Sequence, residues 1–195
     1  MALNLKAAVL FAAVIVLFSG CPLPISHGVA KSSADPALTD IFITNDQKNV
    51  LLFARLINPF TKDMESAILA GVPVIFTLQL DVYRERSGLW DEKITGREIR
   101  RSIKYDNLKK TFAISTNGYT DPVILQDLES ARKAMADFSG IMVVPISSLV
   151  KDNTYYAQIK VKIDKVRLPF YMEYVFFFVS VWDTETPAYR QRFAF

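Results

Sequence analysis

The chain has 195 residues, 51% hydrophobic and 22% charged, with a formal net charge of +3. This is the composition of one ordinary globular domain, and the charge excess is too small to argue for nucleic acid as a partner. The only histidine is His27 and the only cysteine is Cys21. The chain beyond residue 27 therefore cannot build a Ser-His-Asp triad, a Cys-His pair or a histidine metal site.

Met1 to Gly20 reads as an export signal, with Lys6 in a short basic region and an apolar run from Ala7 to Phe18. Pro22 and Pro24 end any helix soon after it. The run closes on Leu17-Phe18-Ser19-Gly20-Cys21, which resembles a bacterial lipobox. In that motif the cysteine sulfur takes a diacylglycerol and becomes the mature N-terminus, so Cys21 is the candidate lipid-attachment residue. Phe18 stands where the pattern prefers Leu. The alternatives are cleavage after Gly28-Val29-Ala30 and an uncleaved anchor, and all three place the domain outside the cytoplasm. Residues 21–37, rich in Pro, Ser and Ala, read as a tether, and 38–195 as a single β-rich domain. With one cysteine, that domain is held by its core and not by disulfides.

In chain order, Ile41-Phe42-Ile43 and Val50 to Ile57 are predicted to form a hairpin about the turn residues Asn45 to Asn49. Thr61 is placed to cap a helix from Lys62 to Ala70, with Met64, Ala67 and Ile68 on its buried stripe and Gly71 as its stop. Val72 to Tyr83 alternates cleanly, with Val74, Phe76, Leu78, Leu80 and Val82 on one face. Ser87-Gly88 turns the chain, and Leu89-Trp90 is expected to plug one end of the core.

Arg97 to Tyr105 is a basic strand with Ile99, Ile103 and Tyr105 inward; Arg101 falls among them and is expected to reach solvent or pair with a carboxylate. Arg97, Arg100, Arg101 and Lys104, with Lys109 and Lys110 beyond them, make up a candidate basic face for anionic lipid or an acidic partner, the alternative being solvated sheet surface. Thr111 to Thr116 pairs back, and Asn117-Gly118 turns. Asp121-Pro122 is expected to open a second helix carrying Ile124, Leu128, Ala131, Met135 and Phe138 on one stripe. Ile141 to Ile146, Tyr155 to Val166 and Arg190 to Phe195 read as strands.

Between the last two lies a largely apolar stretch, Leu168 to Trp182, with seven aromatic rings and one charge, Glu173. From Phe170 to Trp182 is 13 residues, roughly 20 Å as a helix, which is short of the ~30 Å a span requires. A buried helix, a central strand and an interfacial docking segment all remain open. The candidate docking residues are Phe170, Tyr171, Tyr174, Phe177, Phe178 and Trp182.

Half-buried alternation joined by hairpin-length connections predicts an α+β domain. It is mainly antiparallel sheet, sandwich-like or curved, with two short covering helices and a C-terminal aromatic segment. Asp91-Glu92 and Asp183-Thr184-Glu185 are carboxylate groupings that could supply a glycosidase-like pair or a hard-cation site. Trp90, Tyr83 and Tyr105 are expected to line the mouth of a ligand-sensing sheet. No catalytic residue, metal or cofactor is assigned.

Ala67-Ile68-Leu69-Ala70-Gly71-Val72-Pro73, Ile103-Lys104-Tyr105-Asp106-Asn107-Leu108-Lys109-Lys110, Leu168-Pro169, Val179-Ser180-Val181-Trp182-Asp183 and Glu185-Thr186 resemble, in that order, a bacterial family called domain of unknown function 4390. The resemblance covers about Leu38 to Phe195. It implies a single-domain exported protein with no assigned activity, some members being encoded beside a nitrogen-regulation-type sensor kinase and its response regulator. It transfers no site residue. The expected role is a non-enzymatic envelope module binding a membrane-protein partner or the membrane surface; the alternatives are a ligand-sensing accessory to a sensor kinase and a carboxylate hydrolase.

Overall fold

The structure, a computed structural model, describes residues 35–164 and 184–194. Cys21 and the six aromatic docking candidates lie outside the described residues.

β1 (Ala37–Asn45) and β2 (Asn49–Ile57) form the first hairpin. Its turn is fixed by the Asp46 carboxylate, which accepts from the amides of Lys48 (3.0 Å) and Asn49 (2.6 Å). α1 (Lys62–Leu69) starts where Thr61 Oγ1 accepts from the Met64 amide, and Met64, Ala67 and Ile68 are its buried side, as the spacing predicts. Gly71 takes φ +87°, a left-handed conformation that glycine adopts without a Cβ clash. The chain then enters β3 (Val74–Arg84), β4 (Glu92–Asp106), β5 (Thr111–Thr116) and β6 (Val123–Leu125). α2 (Leu128–Ala136), β7 (Ile141–Pro145), β8 (Thr154–Asp164), β9 (Thr184–Glu185) and β10 (Tyr189–Ala194) complete the described elements.

These strands make two antiparallel sheets. One is three-stranded in the order β1-β2-β7; the other is seven-stranded in the order β10-β8-β3-β4-β5-β6, with β9 also paired to β8. The class is α+β, as strand alternation predicts. β3 sits between β4 and β8 with Val74, Phe76, Leu78, Leu80 and Val82 fully buried, and the matching face of β8 buries Tyr155, Ala157, Ile159, Val161 and Ile163. Leu52 and Leu56 of β2 and Val143 and Val144 of β7 join the same core cluster, so the two sheets share one interior.

Two local expectations fail for identifiable reasons. The second helix starts not at Pro122 but at Leu128, where Asp127 Oδ1 accepts from the Ser130 amide at 2.8 Å. Val123 to Leu125 is drawn into the large sheet instead, pairing with Phe112, Ala113 and Ile114. The ladder bonds offered by β5 override the helical reading of Asp-Pro, and Ile124 ends up exposed rather than on a helix stripe. Leu89 and Trp90 do not plug the core: Trp90 is 93% exposed at the tip of the β3–β4 turn. Tyr155 and Phe193, stacked at 5.7 Å, cover that end of the sandwich from the strands themselves.

Candidate functional site

The expected basic face divides in two. Along β4 the residues paired with buried β3 positions are Arg97 (opposite Leu80), Ile99 (opposite Leu78), Arg101 (opposite Phe76) and Ile103 (opposite Val74). Arg97 and Arg101 therefore project toward the second sheet and α2, whereas Arg100 and Lys104 alternate to the outer face. Arg97 donates to the Met142 carbonyl of β7 at 3.1 Å. Arg101 is partly buried and, among the described residues, forms no ion pair with a carboxylate. Its guanidinium donates to the carbonyls of Ala134 (2.7 Å) and Asp137 (2.5 Å), and its CZ lies 5.0 Å from the centre of the Phe138 ring. The last carbonyls of a helix lack intrahelical donors and carry partial negative charge, so a cation fits there. Burial lowers the Arg101 pKa from its usual value and the nearby Asp137 charge opposes that. These two arginines fasten the sheets and α2 together.

The carboxylates do not converge either. Glu92 is held by Arg84 and Arg86, and Asp91 accepts from the Tyr156 hydroxyl at 3.0 Å. Glu185 pairs with Lys160 at 2.6 Å. Glu92 is level with Arg84, whereas Glu185 is joined through Lys162 to Thr77. Seven residues of β3 separate the two levels, roughly 23 Å at 3.3 Å per residue. No hydrolase pair forms from them; Asp183 lies outside the described residues. Among the described residues, no group of three or more acidic, His or Cys side chains is placed to hold a metal.

The aromatic mouth dissolves as well. Tyr83 stacks on Tyr156 at 5.1 Å on the outer face, under Arg190, while Tyr105 packs on Phe112 at 4.7 Å at the other end of the sheet. Sequence parity separates Tyr83 from Tyr105, but nothing in the sequence reports that Trp90 stands exposed at the β3–β4 turn.

Three surface features remain. The first is a cleft of ≈ 460 Å³ between β2 and α2, lined by Arg55, Phe60, Glu129, Arg132, Lys133 and neighbouring apolar atoms. Arg132 lies over the Phe60 ring at 5.6 Å and is held by Glu65 at 2.9 Å.

The second is an open hollow of ≈ 440 Å³ beside the β4–β5 turn, lined by Gly71, Lys104, Tyr105, Asp106, Asn107 and Ala113. In that turn Asp106 Oδ1 accepts from the amides of Leu108 (2.9 Å) and Lys109 (3.0 Å), and Leu108 is 95% exposed.

The third is the pair of roots of the aromatic stretch. Ile163 and Thr184 are direct partners across β8 and β9, so the 184 − 163 − 1 = 20 intervening residues leave and return at adjacent positions. One residue further along, Asp164 is level with Ile75 and Ser102, at the end where β3 begins.

Turn and cap carboxylates give the domain an acid limit. Amide hydrogen bonds lower the Asp46, Asp106 and Asp127 carboxyls below their ordinary 3.8, chiefly from Asn49, Lys109 and Ser130 respectively. Arg86 lowers Glu92 below 4.5. A folded-state value below the unfolded one adds stability that is complete above the unfolded pKa and is lost as pH falls through the folded one. The urea midpoint should stay level from about pH 7 to pH 5 and drop below about pH 4, and Asp106→Asn should flatten part of that drop. A midpoint already declining at pH 6 would assign the sensitivity to other groups.

A family model described as Domain of unknown function (DUF4390) matches residues 33–192. The chain belongs to this family. No curated protein and no solved structure matches the chain. The DUF4390 span begins just before β1 and ends within β10, so it encloses the described sheets and helices up to that point and both roots of the aromatic stretch. Among the described residues of this DUF4390 domain, no helix is long and apolar enough to cross a membrane.

Proposed function

We propose that this domain is a non-enzymatic module of the cell envelope that attaches to a membrane-protein partner or to the membrane surface through the aromatic stretch. In this reading, residues 1–20 export the chain and Cys21 carries a lipid anchor in the periplasm. The observation that carries the proposal is the pairing of Ile163 with Thr184. It brings the two ends of the segment that contains the seven rings to adjacent positions at one end of the sheet. Aromatic side chains supply large contact area and dominate the energetics of such attachments. A membrane-embedded sensor kinase is the partner class that the family resemblance suggests.

The test is crosslinking in intact cells followed by pull-down of the full chain, comparing wild type, Phe177→Ser and Cys21→Ala. Phe177→Ser should lose the crosslinked membrane component while Cys21→Ala loses fatty-acid labelling. Retention of the same crosslinks by Phe177→Ser would remove the stretch from the contact.

The cleft between β2 and α2 favours a second reading, a ligand-sensing accessory. Its volume lies in the range of small-molecule sites, and Phe60 with Arg132 offers an apolar wall beside a cation. Arg132→Ala abolishing a ligand-dependent rise in melting temperature would support it.

A further inference from the structure

We propose that the β4–β5 turn is a second contact element that lies on anionic lipid, with Leu108 inserted among the acyl chains and a lipid phosphate seated in the adjoining hollow. This rests on the reading that the aromatic stretch docks at the membrane, and it names the surface and the residues that orient the domain on it.

Leu108 is 95% exposed at the outermost point of the turn. A free leucine on a floppy loop would lose entropy on insertion, but this turn is already set by two amide bonds to Asp106 Oδ1 and by the Lys110 amide to the Asp106 carbonyl at 2.8 Å. Around it stand Lys104, Lys109 and Lys110, and no described carboxylate lies within ion-pair distance of any of the three. The one acid in the turn, Asp106, has its Oδ1 occupied by amides, leaving three ammonium groups against one carboxylate.

The opposite end of the sheet makes the contrast. Trp90 is equally bare there, but Arg84 and Arg86 are bound to Glu92 and Arg192 to Glu85 at 2.7 Å. Arg84, Arg86 and Arg192 are thus already held by carboxylates of the protein. The Leu108 end combines a nearly bare apolar tip with three lysines that outnumber the single carboxylate beside them, the pattern that anionic interfaces select.

Place in the fold supplies the second argument. Asp164 and Thr184, between which the chain runs out into the aromatic stretch and back, lie at the same end of the sheet as the turn. The hollow beside the turn is open and lined by Gly71, Lys104, Tyr105, Asp106, Asn107 and Ala113, the Asp106 Oδ1 being taken up by the Leu108 and Lys109 amides. It suits a headgroup phosphate, and a Cβ at Gly71 would lie 3.3 Å from Asn107 Nδ2 and narrow it.

The test uses the full chain with Cys21→Ala and a single new cysteine, Leu108→Cys or Phe177→Cys, labelled with nitrobenzoxadiazole. Each is reconstituted into phosphatidylcholine vesicles with and without phosphatidylglycerol. The label at 108 should shift to the blue on phosphatidylglycerol vesicles, return toward its aqueous emission as salt rises, and lose most of the shift when Lys104, Lys109 and Lys110 are all changed to Gln. An unshifted label at 108 beside a shifted label at 177 overturns this inference and leaves the aromatic contact standing. If neither label shifts, membrane-surface docking fails for both. An equal shift at 108 on neutral vesicles overturns the anionic-lipid assignment.

Discussion

Replacing Arg101 by Ala should destabilise the domain by about 3 kcal/mol, among the larger effects of a single change in this chain. The side chain closes the C-terminal end of α2 through the Ala134 and Asp137 carbonyls, reaches Thr116 Oγ1 at 3.3 Å and covers the Phe138 ring. Ala leaves the half-buried Ala134 carbonyl without its charged donor, at ~1–3 kcal/mol where water cannot reach it, and the more exposed Asp137 carbonyl to solvent. It also removes the aliphatic stem packed between sheet and helix. Lys keeps the charge but not the planar fork that spans two carbonyls, so Arg101→Lys should fall between wild type and Ala. Urea unfolding gives the ranking. Equal midpoints for wild type and Arg101→Ala would show that the arginine is a surface group.

Phe138→Ala should cost about 3–5 kcal/mol, because it empties a fully buried aromatic site where relaxation is limited on both sides. Backbone geometry limits it: the Phe138 amide donates to Ala54 O at 2.9 Å and its carbonyl accepts from the Ala54 amide at 3.3 Å. Phe138 is thus pinned to β2 while its ring supports Arg101 of β4. Two neighbours that share a contact are not additive. The double change Arg101→Ala with Phe138→Ala should be less destabilising than the sum of the single changes. Strict additivity would separate the two sites.

Much of the fold was legible because burial on one face writes a period of two into the sequence. β3 and β8 read out their inward residues one by one, and Thr61 announced α1 through a side chain that accepts the Met64 amide. The same parity, applied to β4, already separates Arg97 and Arg101 from Arg100 and Lys104, although charge alone groups the four together. What stayed hidden was set by partners distant in sequence. Val123 to Leu125 turned to strand because β5 offered its edge, and Asp127, six residues after Asp121, took over the cap. Arg101 was satisfied by main-chain carbonyls, which no side-chain pattern records. Trp90 was expected inside because large rings usually find company, and the β3–β4 turn carried it past the end of the sandwich.

For the site, exclusion by composition was the part the sequence settled, since the chain beyond residue 27 has neither imidazole nor thiol. Neither the hollow at the β4–β5 turn nor the adjacency of Asp164 and Thr184 is visible without strand register. The second arises from a pairing across more than 20 residues of chain, Ile163 with Thr184, and the first from Gly71 lying against a hairpin more than 30 residues further on. Register turned a ring-rich run and a lysine-flanked leucine into neighbours at one end of one sheet.

The most direct measurement is photo-crosslinking in living cells with benzoylphenylalanine placed, one position at a time, at 177, 90 and 42. These positions sample the aromatic stretch, the bare Trp90 tip and the exposed Phe42 of β1. The account predicts adducts with a membrane protein or lipid at 177 and none at 90 or 42. Adducts at 90 or 42 with none at 177 would contradict it.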